Sequence, residues 1–188
     1  AGGILGGVVG PNLASLTRDA LDRPFAGAYL ALTVLALLAM LLMQFIRFPP
    51  LTQPGQVAQT GRPLREIVRQ PVFIVAVAAC ALGYGVMNLL MAATPIAMAQ
   101  CGHPFSAAAL VLEWHVIAMY LPSFFTGNLI KRVGVWPVLV AGLLLNGVCV
   151  AIALAGVDLM HFLAALVTLG LGWNFLYIGG STLVTTTY

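Results

Sequence analysis

The chain has 188 residues, 61% of them hydrophobic and only 7% charged, and its mean hydropathy is +1.03. A soluble domain carries roughly 25% charged residues to cover its surface, so this composition excludes a water-soluble fold and places apolar side chains against lipid. The net charge of +3 comes from 8 basic and 5 acidic residues. It bears on membrane topology and not on nucleic acid, because the basic residues sit in short connections between apolar runs.

A membrane-spanning helix needs about 20 mostly apolar residues, at about 1.5 Å rise each through a core about 30 Å thick. Six apolar segments follow one another. The first runs from Ala1 to about Leu16 and is short for a span. It begins without an initiator Met inside a Gly-rich run, which reads as a fragment of something longer. The second covers Phe25 to about Ile46, the third Val72 to about Ala99, and the fourth Ser106 to about Ile130. The fifth runs from Val135 to about Gly156 and the sixth from Leu159 to about Leu183. All are too long and too uniformly apolar for barrel strands, so the predicted fold is an all-α integral membrane protein of about six transmembrane helices. Pro24, Pro71 and Pro137 suit first-turn positions, and Ser106 and Asp158 suit N-caps.

One connection stands apart. Residues 47–70 hold Pro49, Pro50, Pro54, Gly55, Gly61 and Pro63 with Arg47, Arg62, Arg65, Glu66 and Arg69, and end in a short amphipathic piece, residues 64–69. Alternating spans put Arg47, Arg62, Arg65, Arg69, Lys131 and Arg132 on the linker's side, against Arg18 and Arg23 on the other. The positive-inside rule then makes the linker and the 131–134 turn cytoplasmic in a multi-pass cell-membrane protein. The three cysteines, Cys80, Cys101 and Cys149, have no CxxC spacing. They imply neither a metal site nor a disulfide framework, and no cofactor is expected.

Two motifs carry a family likeness. Gly6-Gly7-Val8-Val9-Gly10-Pro11 places Gly6 and Gly10 four apart, which lets a neighbouring helix approach, and Pro11 invites a bend. The run resembles the fifth-helix Gly-Pro motif of major facilitator superfamily transporters, with Ala14-Ser15 in place of the family's following glycine pair. Gly127-Asn128-Leu129-Ile130-Lys131-Arg132-Val133-Gly134 resembles the superfamily's cytoplasmic loop motif at Gly127, Leu129, Arg132 and Gly134, although Lys131 stands where the family has an acid. The stretches 63–67, 114–127 and 172–175 resemble an uncharacterised-permease branch. The likeness implies helices five to ten of a twelve-helix secondary transporter. Residues 1–46 would end the N-terminal bundle, residues 47–70 form the central loop, and residues 71–188 make most of the C-terminal bundle. The partners it implies are a small solute, the bilayer, the remaining helices and, if coupled, protons.

The resemblance also implies that helices seven, eight and ten line a central cavity. The candidates for that lining are Tyr84 and Asn88 in the third segment, Glu113 and His115 in the fourth, and Trp173, Asn174 and Tyr177 in the sixth. Glu113 is the one acid well inside a span, a costly position that reads either as a proton or cation site or as a neutral hydrogen-bonded Glu. His115 lies about 200° around the helix from Glu113, so the two share no face, and its plainer reading is a bond to a neighbouring helix. Asn174, Tyr177 and Ser181 fall on one helical face, and Tyr84 and Asn88 on another; interhelical hydrogen bonding is the structural alternative for each. An intramembrane serine enzyme finds little support, since no GxSxG surrounds Ser181 and no catalytic residue is assigned. A self-contained six-helix structural or channel protein is the competing class.

Overall fold

The computed structural model describes residues 2–46 and 63–187. Over these residues the chain is helical: α1 (Gly2–Thr17), α2 (Ala26–Gln44), α3 (Leu64–Val68), α4 (Pro71–Gln100), α5 (Phe105–Tyr120), α6 (Ser123–Val133), α7 (Val135–Ala155) and α8 (Leu159–Thr185). Five stretches are long and apolar enough to cross a bilayer, with Phe105–Val133 taken as one. The 16-residue α1 is the short first segment. Residues 47–62 of the expected central loop lie outside the described residues, and its amphipathic end forms α3.

The helix boundaries follow local chemistry. Pro71 is the first residue of α4, after an extended Gln70, so its missing N–H leaves no bond unmade. Asp158 stands at the N-cap of α8 with extended backbone. Ser106 instead falls one residue inside α5, whose N-cap is Pro104. Pro24 stays outside α2, whose N-cap Phe25 has φ 64°. Positive φ is rare for a bulky residue. Here the Phe25 amide donates to the Arg18 carbonyl at 2.7 Å, and the Arg18 guanidinium lies 5.2 Å from the Phe25 ring centroid.

The chain divides into two compact units, Asn12–Arg62 and Ala1–Pro11 with Pro63–Tyr188. In the first, the end of α1 packs on the start of α2. Gly27 lies so close to the Thr17 carbonyl that an added Cβ would overlap it.

The larger unit is built around α8, which packs against α4, α5, α6 and α7. Lipid tails are as apolar as leucine, so burying leucine drives little association here; close packing and hydrogen bonds do that work. Glycines on different faces of α8 permit the approach. An added Cβ at Gly170 would lie 2.7 Å from the His115 carbonyl oxygen of α5, and one at Gly180 would lie 2.9 Å from the Ala76 carbonyl oxygen of α4. Ala76, Leu139, Leu176 and Leu183 form a core cluster towards one end of the unit. Met98, Ala108, Val111 and Leu166 form one towards the other. Side chains such as Leu143, Leu144 and Leu154 of α7 point away from the bundle, as lipid-facing residues do.

Both ends of the unit are tied. Gln70 Nε2 donates to the Thr187 carbonyl at 3.1 Å, joining the start of α4 to the end of α8. At the opposite end His103 Nε2 donates to the Val157 carbonyl at 2.9 Å, and its ring meets Phe162 edge-on at 5.6 Å. Gly134 alone separates α6 from α7, with φ 87°, a conformation that glycine adopts without steric cost.

Gly170→Ala should therefore destabilise the purified protein by about 1–3 kcal/mol, the usual cost of overpacking. A thermal unfolding midpoint in detergent equal to that of the wild type would show that α5 and α8 have room to separate.

Candidate functional site

The fourth segment is expected as one helix but is broken near its middle. Pro122 has no N–H to offer the Ala118 carbonyl. The helix stops at Tyr120 and resumes at Ser123, with the amides of Phe125 and Thr126 each 2.8 Å from the Pro122 carbonyl. Leu121 and Pro122 keep helical dihedrals, so what the break costs is hydrogen bonds, and a carbonyl freed at membrane depth is tolerated only where protein satisfies it. Asn174 of α8, fully buried, does so. Its Nδ2 donates to the Met119 carbonyl at 2.7 Å and to Ser123 Oγ at 2.7 Å. Its Oδ1 accepts from the Thr126 hydroxyl at 2.6 Å, for which the Pro122 carbonyl at 2.8 Å is the alternative acceptor. One side chain thus joins both halves of the broken span to α8.

The next residue back, Trp173, faces elsewhere. It is 6% exposed and packs against Met87 of α4 and Met119 of α5. Its ring is stacked on Tyr177, one turn along α8, with centroids 4.9 Å apart and planes 10° from parallel. Tyr120 meets it at 6.2 Å and 72°, and Tyr84 at 6.5 Å and 51°. Tyr84, Tyr120 and Trp173 each fall within about two residues of the middle of their spans. The three tyrosines remain open, at 50% for Tyr84, 43% for Tyr177 and 38% for Tyr120.

The predicted residues therefore part into groups. Tyr84, Trp173 and Tyr177 come together, and Tyr120 joins them. Its place at the break in the fourth segment is what brings it to the cluster, and the break was not anticipated. Asn174 points instead into the α5–α6 break, so the face it shares with Tyr177 in the sequence divides into a buried end and an open end. His115 is fully buried; its Nδ1 donates to the Leu166 carbonyl of α8 at 2.7 Å. Glu113 is half-buried on another side of α5, and Asn88 is exposed one turn from Tyr84. Ser181 is mid-helix, its hydroxyl bonded to the Tyr177 carbonyl at 2.7 Å. Among the described residues no group of His, Cys, Asp or Glu is placed to hold a metal ion.

The motif glycines are placed unequally. Gly3 and Gly7, not Gly6 and Gly10, take the close approach of α5. An added Cβ at Gly3 would lie 2.9 Å from the Tyr120 ring, and one at Gly7 would overlap Val116, whereas Gly6 and Gly10 meet nothing within 4 Å. Pro11 lies inside α1 without ending it. Gly127 and Arg132 lie within α6, and Gly134 makes the turn.

The family model described as Major Facilitator Superfamily matches residues 1–188. The chain is 46% identical to the riboflavin transporter RfnT of Brucella anthropi over 98% of its own length and 47% of the relative's. It is 33% identical to the uncharacterized MFS-type transporter YddS of Bacillus subtilis, over 96% of this chain and 45% of that one. The chain thus spans about half the length of these relatives. No solved structure matches it.

Asn174→Leu should lower stability by about 1–3 kcal/mol, because it leaves the Met119 carbonyl without its partner and the Thr126 hydroxyl with the Pro122 carbonyl alone. Adding Thr126→Val should cost less than the sum of the two single changes. Strictly additive unfolding midpoints would show that the two side chains do not act together.

Proposed function

The chain belongs to the major facilitator superfamily, and on that premise we propose that it carries helices five to ten of a secondary transporter that moves a small solute by alternating access of two helix bundles. In this reading residues 47–70 join the two bundles, and the remaining helices complete the pathway. The solute we propose is riboflavin. The observation that carries it is the 46% identity to a riboflavin transporter across 98% of the chain. The aromatic cluster at mid-depth supports it, since secondary transporters bind near the midplane and a flavin is a flat fused ring that aromatic side chains can stack upon. The site residues in this reading are Tyr84, Asn88, Trp173 and Tyr177, with Tyr120 added.

The cell membrane is its location, with the linker and the 131–134 turn on the cytoplasmic side. In support, Arg65, Arg69, Lys131 and Arg132 lie towards the same end of the larger unit, the end where Gln70 meets Thr187. Glu113 is the candidate for proton coupling. It stands eight residues into the fourth span, about 12 Å along the helix, and an acid at that depth marks a candidate for function.

Labelled riboflavin uptake by riboflavin-auxotrophic bacteria expressing the transporter tests the reading. Uptake well above the vector control is expected; uptake at background with protein present in the membrane would overturn the flavin assignment and leave the family standing. Glu113→Gln should flatten the pH dependence of that uptake, and an unchanged pH profile would remove Glu113 from coupling.

A further inference from the structure

Tyrosines in membrane helices favour the bilayer interface, where the ring is covered and the hydroxyl is wet. Tyr84 and Tyr120 do the opposite and lie within about two residues of the middle of their spans. Both are well exposed, Tyr177 is exposed one turn from Trp173, and none of the three hydroxyls has a hydrogen-bond partner among the described residues. A bare hydroxyl in hydrocarbon is costly. All three therefore stand where water, a solute or a helix beyond this chain reaches them.

Beside them stands Trp173. Its ring covers one side of Tyr177 in near-parallel stacking. Tyr177 has no other ring neighbour among the described residues and is 43% exposed. The Trp173 Nε1–H is buried and lacks an acceptor among the described residues. That donor is closed off from the surface, so it is the rings and not the indole N–H that present themselves to a solute. Asn88, exposed one turn along α4 from Tyr84, adds an amide with both donors and an acceptor.

We infer that the Trp173–Tyr177 stack is a ring-binding platform, on which the exposed Tyr177 takes the flat face of a fused heteroaromatic solute. Tyr84 and Tyr120 present further aromatic surface around Trp173, and the Asn88 amide addresses carbonyl and imide groups on the solute's rim. This assignment rests on the transport reading above and deepens it. The two prefer different solutes: a cavity that only excludes water accepts any apolar molecule of the right size, whereas a stacked platform selects for a planar π-face. Base-on-aromatic stacking is tolerant of which ring is bound but depends strongly on the presence of the side-chain ring. The methionines that hold Trp173, Met87 and Met119, are flexible and polarizable, and so suit a ring wall that must adjust as solute enters.

The test is a titration of the full purified transporter with riboflavin, reading the quenching of flavin emission that accompanies stacking on an electron-rich ring. Tyr177→Leu should weaken binding about tenfold and remove most of the quenching, while Tyr177→Phe should stay within about twofold of the wild type. The ligand-free unfolding midpoint of Tyr177→Leu reports whether the fold is intact. If that variant does not fold, Tyr84→Leu, on another helix and half exposed, carries the same measurement. Equal affinity and equal quenching in wild type and the Leu variant would overturn the platform and leave riboflavin transport standing. If the wild type binds no riboflavin, the flavin assignment fails, and quenching of tryptophan emission by a purine and a pterin decides the platform separately. Binding of either that Tyr177→Leu weakens upholds it, and binding of neither overturns it.

Discussion

The amide of Asn174 is the interaction on which the larger helical unit depends. A proline in the middle of a membrane span frees a backbone carbonyl where no water is available to accept the loss. At Pro122 the ladder of helical hydrogen bonds is interrupted, although Leu121 and Pro122 keep helical dihedrals, and fewer backbone bonds join the two pieces, α5 and α6. Asn174 reaches both with a single planar group, touching a backbone carbonyl on one and two hydroxyl side chains on the other. Measured interhelical hydrogen bonds in membranes average only about 0.6 kcal/mol. This one is different in kind because three contacts converge on one fully buried side chain, and any one of them missing leaves a polar atom stranded.

With the break held, α8 becomes the axis around which the other helices are placed. Its glycines fix how near α4 and α5 come, and that spacing determines what can fit at their junction. The aromatic cluster follows from it. Tyr120 is the last residue of α5 before the break, Tyr84 stands at mid-α4, and Trp173 precedes Asn174 in α8. Neighbouring residues on α8 point in different directions, so one secures the scaffold while the other presents a ring. The same helix therefore carries the stabilising contact and the candidate binding surface, and neither can shift without the other.

Much of this was legible in the sequence. Composition alone forced helices in lipid, and the apolar runs located them to within a few residues. The short first segment and the turn at Gly134 could also be read, because span length and glycine chemistry are local properties. Tyr84, Trp173 and Tyr177 could be picked out as unusual polar-aromatic residues in apolar surroundings. What could not be read was which of them meet. Asn174 and Tyr177 share a face by helical spacing, yet four helices pack against α8, and a few tens of degrees decide whether a side chain meets a backbone break or an open surface. The break itself was hidden for a related reason. Pro11 and Pro95 lie inside continuous helices, so a proline does not by itself predict an interruption. At Pro122 the interruption is supported by Ser123 and Thr126 beside it and by Asn174 on a neighbouring helix, and only the last of these is distant in sequence.

Gly134 has a consequence of another order. It is the whole connection between α6 and α7, at once the end of one helix and the start of the next. A joint of one residue has no slack, so the rotation of α7 about its own axis is set by the count of residues before it. Adding or removing one would turn α7 by about 100°, carrying Leu143 and Leu154 off the lipid side and Gly142 away from the Gly172 carbonyl against which it sits. Side-chain replacements along this hairpin are local events; a change of length is a change of phase for the entire helix. Natural length variation in this unit should accordingly be found in connections such as the four residues between α4 and α5, where a loop can absorb it.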